Sequence, residues 1–341
     1  MSPQQKALMV PEKQGKLEVG SRNIPNPGTG ELLVKVQSVA LNPIDYHMVF
    51  LKHYPAVPGV DIAGIVEELG EGVENFRKGD RVLAHGAFNN DKAAFQQYTL
   101  TVASFTAKIP SNLSFDDAAT VPVGLDTAVT SMYGEYPYGA GLTPPWAKSG
   151  SNDELKKPIV IIGGSSCVGL YVIQFARLSG FYPIIATASP SNEDLVKSYG
   201  ATHFFDRHLP GNELKAAISK VTDSSICIVY DAISLQETQS MGWGLLAENG
   251  TLILTHDVLV KEDENKGRKA ARAFGSPHAP QNQELSRGSW AMVEKWLSEG
   301  TIQPNKYEVL PNGLEGITGG LERLKNGQVS GTKLVAHPQE T

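Results

Sequence analysis

The sequence predicts an α/β protein in two parts: a β-rich domain and a doubly wound parallel sheet with helices between its strands. Three observations predict it. Residues 5–110 are short β-favouring runs broken by Gly and Pro, whereas strands and helices alternate from residue 158 onward. The stretch 158–180, PIVIIGGSSCVGLYVIQFARLSG, joins an apolar run to a glycine turn and then to helical spacing. A length of 341 residues suits about two domains.

In the first part, strands are expected over 7–10, 31–40, 61–69, 81–85 and 95–102, with breaks at 25–30, 55–59, 70–72 and 78–80. That spacing suits a small barrel or sandwich rather than βαβ units. At Ser114 the pattern changes. A serine N-cap followed by Phe115-Asp116-Asp117-Ala118-Ala119 reads as a helix start with acidic residues in its first turn. A second helix is expected over 125–133. Residues 133–157, rich in Gly, Pro, Ser and Tyr, form a long loop, either a linker or the rim of a pocket.

The second part begins with the β-branched strand 159–162. The turn Gly163-Gly164-Ser165-Ser166-Cys167-Val168-Gly169 departs from the spacing G-x-G-x-x-G, yet sits between a strand and a helix as that motif does. Glycines allow close backbone approach, and the amides at a helix start favour a pyrophosphate. Gly163, Gly164, Ser165, Ser166, Cys167 and Val168 are therefore candidate dinucleotide contacts. Further strands are expected over 183–188, 203–205, 226–230 and 251–255, and helices over 168–178, 191–199, 212–221 and 235–246. Residues 261–272 read as a basic, helical stretch and 289–299 as an amphipathic helix, with 306–337 returning to short strands.

The end of the second strand of this sheet selects the cofactor. Sheets that prefer NAD place a carboxylate there for the ribose 2′-hydroxyl. Here the residues are Ala186-Thr187-Ala188-Ser189. A 2′-phosphate would meet Ser189, Asn192 and Arg207 instead, so NADPH is expected.

Composition excludes several function classes. A net charge of −6 with no basic stripe argues against nucleic acid. No apolar run is long enough to span a bilayer, and residues 1–10 lack a signal-peptide core. A soluble, cytoplasmic protein is expected. Two cysteines allow neither a disulfide framework nor a four-cysteine zinc cluster, and Cys227, in an apolar run, is expected in the core. The eight histidines show no metal-ligand spacing, so no metal site is expected.

Several motifs together resemble the zinc-independent medium-chain dehydrogenase/reductases. They are Asn42-Pro43-Ile44-Asp45, Pro58-Gly59-Val60-Asp61-Ile62-Ala63-Gly64, Gly79-Asp80-Arg81-Val82, Ala118–Gly124 with Thr127-Ala128, the glycine turn, and Ser330-Gly331-Thr332-Lys333. The resemblance implies a GroES-like domain over 1–125 and 300–341 and a Rossmann NADP(H)-binding domain over 126–299. It also implies that Asn42, Val60 and Val123 stand where zinc-dependent members carry Cys, His and Cys. Lost ligands disfavour alcohol chemistry and favour already polarised substrates: enones, enoyl thioesters or quinones. Ser189-Pro190-Ser191-Asn192 and the long loop resemble fungal enoyl reductases that act in trans with polyketide synthases.

For the catalytic residues the resemblance offers roles with plain alternatives beside them. His47 is a proton relay, or else a surface residue or a contact to the cofactor ribose. Tyr46 is a candidate hydrogen-bond donor, and Tyr54 is a donor beside an enoyl group or a loop residue packing by Pro55. Thr127 faces the nicotinamide or caps a helix. Asn42 and Lys333 are placed at the cofactor, with a solvated lysine the alternative for Lys333. Four functions follow: an NADPH-dependent double-bond reductase, an NADPH quinone oxidoreductase, a non-catalytic NADPH-binding protein or, last, a zinc-dependent alcohol dehydrogenase. The expected partners are a small-molecule substrate and a polyketide synthase, and the chain is expected as a monomer or homodimer.

Overall fold

A computed structural model describes residues 3–13, 15–47, 53–147, 156–261 and 266–341. Two units are distinguished, Met1–Val123 with Arg287–Thr341, and Gly124–Ser286.

The first unit opens with strands β1 (Gln4–Met9), β2 (Glu18–Asn23) and β3 (Glu31–Ala40), of which β3 is buried along most of its length. Helix α1 (Pro43–Tyr46) follows, then β4 (Asp61–Leu69), β5 (Arg81–His85), β6 (Tyr98–Val102), β7 (Thr106–Lys108) and α2 (Phe115–Ala119). β3 is the hub: it pairs antiparallel with β4, β6 and β15 (Lys333–Ala336). The sheet order is β14-β15-β3-β4-β5-β7, with β14 (Tyr307–Val309) parallel to β15. Register shifts at Leu33/Val34 and Val36/Ser38 bend β3, as bulges do. The core holds Leu32, Val34, Val36, Ile62, Val66, Val82 and Phe95. The last β-strand of the chain thus lies beside the first long one, which brings residue 333 next to the Asn42 segment.

The second unit is the parallel sheet. Its strands are β8 (Ile159–Ile162), β9 (Ile184–Ala188), β10 (His203–Asp206), β11 (Ile228–Asp231), β12 (Thr251–Leu254) and β13 (Lys269–Arg272). Their order is β10-β9-β8-β11-β12-β13, so the chain reverses direction across the sheet between β8 and β11. The connecting helices are α4 (Cys167–Leu178), α5 (Glu193–Tyr199), α6 (Gly211–Ile218) and α7 (Gln236–Leu245), and α3 (Pro122–Tyr133) precedes them. β8 is buried along its whole length, as a strand covered on both faces must be.

Four expectations need correction. The basic stretch 261–272 ends in strand β13, not a helix: Lys269 pairs with Thr251 and Arg272 with Leu254. Ala270 and Ala271 are buried there and the two cations lie outside, which suits an edge strand; residues 262–265 lie outside the described residues. The tail contains a helix, α9 (Gly313–Lys325), which buries Leu314, Ile317 and Leu321. Its glycines, poor helix formers, concealed the period. One of them is needed, because a Cβ on Gly320 would meet Leu310 at 2.5 Å and Leu41 at 2.7 Å. The helix expected over 289–299 is longer, α8 (Gln283–Ser298). Finally, Cys227 is exposed while Ile226 and Ile228 beside it are buried, the alternation of an extended chain.

Candidate functional site

In the first unit a polar cluster lies inside an apolar core. Asp61 opens β4 after the apolar residues Val57 and Val60, and is 0% exposed. A lone buried carboxylate must be paired. Its partner is Lys333, itself 3% exposed, whose Nζ lies 2.8 Å from Asp61 Oδ2. The same ammonium donates to Asn42 Oδ1 at 2.7 Å, and Asn42 Nδ2 donates to Asp61 Oδ2 at 2.8 Å. The other oxygen, Asp61 Oδ1, accepts the Val123 N–H at 2.8 Å. Asn42, Asp61 and Lys333 thus close a triangle, and each holds the other two in one geometry.

α1 is tied to that triangle. The Asn42 N–H donates to Asp45 Oδ2 at 2.7 Å. Asp45 is buried, and its Oδ1 has no hydrogen-bond partner among the described residues. Burial therefore dominates its titration and raises its pKa to about 8; the Asn42 N–H pulls the other way, the Asp61 charge adds to the rise and Lys333 opposes it. Tyr46 and His47 follow directly, with ring centroids 4.7 Å apart. Tyr46 is half-buried, and burial raises its pKa; His47 is exposed. Tyr54 is half-buried on the next segment. That segment is pinned by Asn90, which donates to Pro55 O at 2.8 Å and accepts from Val57 N at 3.0 Å.

The three positions expected to match zinc ligands offer no zinc donor set. Val60 and Val123 have no side-chain donor atom, and the Asn42 carbonyl already accepts from an ammonium. Among the described residues, no group of three or more His, Cys, Asp or Glu could hold a metal ion.

In the second unit the glycine turn follows β8. Gly163 has φ 75°, and a Cβ there would meet the Ile233 side chain at 2.5 Å. A Cβ on Gly169 would meet Gly163 O at 2.3 Å, so the start of α4 lies directly against the turn. Gly163 N donates to Thr187 Oγ1 at 3.3 Å and Gly164 N to Thr187 O at 2.8 Å, which anchors the turn to β9. Ser166 caps α4, accepting from Gly169 N at 3.0 Å. Helix-start amides lack intrahelical partners, and here they lie at the carboxyl end of β8, where the sheet order reverses. The cradle fits a pyrophosphate.

Ser189, Asn192 and Arg207 gather around the ends of β9 and β10. Asn192 Nδ2 donates to Ser165 Oγ at 3.2 Å, linking the end of β9 to the glycine turn. Arg207 is exposed, and its N–H donates to Ala188 O at 2.9 Å. No carboxylate stands at the end of β9; Asp206, at the end of β10, pairs with His208 at 3.0 Å. Thr127 lies half-buried on α3.

Sequence reasoning did not single out Asp61 or Asn90. Asp61 had a signal, a carboxylate in an otherwise apolar run. Asn90 had none, since it works through a backbone segment distant in sequence.

Residues 28–111 match the family model of the alcohol dehydrogenase GroES-like domain, and residues 167–255 that of zinc-binding dehydrogenases. A trans-enoyl reductase of Gibberella fujikuroi is 32% identical over 333 residues, covering 90% of this chain and 91% of that protein. The trans-enoyl reductase ACTTS2 of Alternaria alternata is 33% identical over 347 residues, covering 97% and 98%. Among solved structures, a mycobacterial protein complexed with NADPH superposes with a TM-score of 0.77 at 22% identity, covering 98% of this chain and 100% of that one. The GroES-like sheet, the parallel nucleotide sheet and these relatives converge: the chain belongs to the medium-chain dehydrogenase/reductase superfamily of oxidoreductases.

Proposed function

We propose that this chain is a zinc-independent, NADPH-dependent reductase of activated C=C bonds, acting on an enoyl thioester or α,β-unsaturated carbonyl in secondary metabolism. The observation that carries the reading is the Asn42–Asp61–Lys333 triangle. The positions matched to zinc ligands hold Asn42, whose carbonyl accepts from the Lys333 ammonium that Asp61 neutralises, and two valines without donor atoms. Without a Lewis acid to polarise a simple carbonyl, the substrate must arrive polarised, as a conjugated thioester or enone is. The fungal trans-enoyl reductases at 32% and 33% identity support an enoyl substrate, and we infer a polyketide synthase as partner from the resemblance of Ser189-Pro190-Ser191-Asn192 to reductases that act in trans.

NADPH, when bound, supplies the hydride that adds to the β-carbon of such a substrate. The chain's own residues do the rest. The Gly163–Val168 segment and the start of α4 hold the diphosphate. Ser189, Asn192 and Arg207 surround the 2′-phosphate, and the lack of a carboxylate at the end of β9 removes the group that would repel it. Thr127 orients the nicotinamide. Asn42, with its amide oriented by Lys333 and Asp61, stands at the cofactor; Lys333 acts there through Asn42. His47, Tyr46 and Tyr54 are the donors for the developing enolate oxygen and for the proton that completes the reduction.

The test is consumption of NADPH, followed by its absorbance, with a crotonyl thioester of N-acetylcysteamine, an aliphatic enone and a benzoquinone. Turnover of the thioester or enone is expected, lowered about 10-fold or more by His47→Ala with little change in NADPH affinity. Turnover of the quinone alone makes the chain a quinone reductase. Tight NADPH binding with no turnover on any of the three makes it a binding protein.

A further inference from the structure

The loop that follows β13 is held in an arc by one side chain. Asn282 is 1% exposed, and its Nδ2 donates to Phe274 O at 2.6 Å and to Ser276 O at 2.9 Å. Those two carbonyls flank Gly275. Both amide hydrogens are thereby used on the same short segment, so the peptide unit that enters Gly275 and the one that follows Ser276 are fixed in direction. The base of the clamp is itself tied down: Asn282 N donates to Ala279 O at 2.9 Å, and Ala273 N donates to Leu254 O at 2.7 Å, which continues the sheet.

What the arc presses against is Thr127. A Cβ built on Gly275 would lie 2.2 Å from Thr127 Oγ1 and 3.0 Å from both Cα and Cβ of Thr127. No side chain fits there. The backbone of Gly275 and the Thr127 side chain share one narrow space, and the Thr127 hydroxyl has its range limited by where the loop stands. The Thr127 backbone is also fixed, since its carbonyl accepts from Ser131 Oγ at 2.5 Å.

We propose that Asn282 and Gly275 form a positioning clamp for the Thr127 hydroxyl, and so for the nicotinamide half of the cofactor rather than its adenosine half. This rests on the role given to Thr127 in the proposed function. Asn282 touches neither cofactor nor substrate in this proposal; it acts through the loop.

The experiment compares wild type with Asn282→Leu, Gly275→Ala, Thr127→Val and the Asn282→Leu/Thr127→Val double variant. Calorimetric titrations use NADPH and, separately, 2′,5′-ADP, which carries the adenosine half alone; thermal unfolding is followed without ligand. Asn282→Leu is expected to weaken NADPH by about 3- to 10-fold, the range of one or two lost hydrogen bonds, and to leave 2′,5′-ADP unchanged. In the Thr127→Val background it should add nothing further. Equal weakening of both ligands, no weakening, or full additivity with Thr127→Val would overturn the clamp and leave the proposed function standing. A silent Thr127→Val would overturn the role of Thr127 and the clamp together. Should Asn282→Leu fail to fold, Gly275→Ala displaces Thr127 from the other side and must give the same selective loss.

Discussion

At the residue scale the decisive feature is a buried ion pair. Lys333 and Asp61 lie 291 and 19 positions from Asn42 in sequence, yet all three are in hydrogen-bond contact. Buried pairs gain little over apolar packing, but removing one partner strands a charge and costs about 3–5 kcal/mol. Lys333→Met is therefore expected to lower the urea midpoint by a corresponding amount, and Asp61→Asn added to Lys333→Met should recover much of it. Equal stability of Lys333→Met and wild type would show that the pair is dispensable. Asp45 makes the second residue-scale prediction. Its folded pKa of about 8 lies above the ordinary carboxylate value, so the folded state holds a proton that the unfolded state releases. The associated stability is complete at acid pH and declines as pH rises from about 4 through 8. Asp45→Asn should flatten that decline; parallel pH–stability curves for the two proteins would refute it. The glycine turn was legible in the sequence because strand, glycines and helix are contiguous. The Asn42–Asp61–Lys333 triangle was not, because nothing local to any of the three names the others.

At the element scale, strands were legible where their burial pattern is simple. β3, β4, β5 and β8 have the limits expected from their apolar runs. β13 and α9 were not, and for opposite reasons. In β13 a tertiary neighbour, β12, overrides a basic stretch with helical character; in α9, glycines needed for close packing against Leu41 and Leu310 hide the helical period. The tail that β15 begins is secured to α2 by His337, whose Nε2 lies 2.9 Å from Asp116 Oδ1 and Nδ1 2.9 Å from Glu340 Oε1. Burial disfavours the imidazolium, but the two carboxylates outweigh it and raise the pKa. A raised histidine pKa stabilises the fold at acid pH, and the gain is lost as pH climbs through the folded value. His337→Gln should therefore lower the unfolding temperature at pH 6 and much less at pH 8.5. An equal drop at both values would mean that the tie is not electrostatic.

At the scale of the whole molecule, the cofactor reading has a direct thermodynamic consequence. A ligand that binds only the folded state stabilises it by RT ln(1 + [L]/Kd), about 2.7 kcal/mol at 100 times Kd. NADPH is expected to raise the unfolding temperature more than NADH at equal concentration. Ser189→Asp combined with Asn192→Ala should reverse that order, since it supplies a carboxylate for a ribose hydroxyl and removes an amide from the phosphate. NADH stabilising the wild type as well as NADPH does would overturn the preference. Among the described residues, no helix is long and apolar enough to cross a membrane.

The sequence by itself determined the two-part α/β class, the turn after β8 and the missing carboxylate at the end of β9, because each is written in contiguous residues whose period or backbone freedom is local. The tertiary structure decided what surrounds those features. It buried Lys333 against Asp61 and Asn42, pinned the Tyr54 segment through Asn90, and pressed Gly275 onto Thr127. These contacts join residues far apart in the chain, and only the packing of strands and loops brings such groups within hydrogen-bond or van der Waals distance.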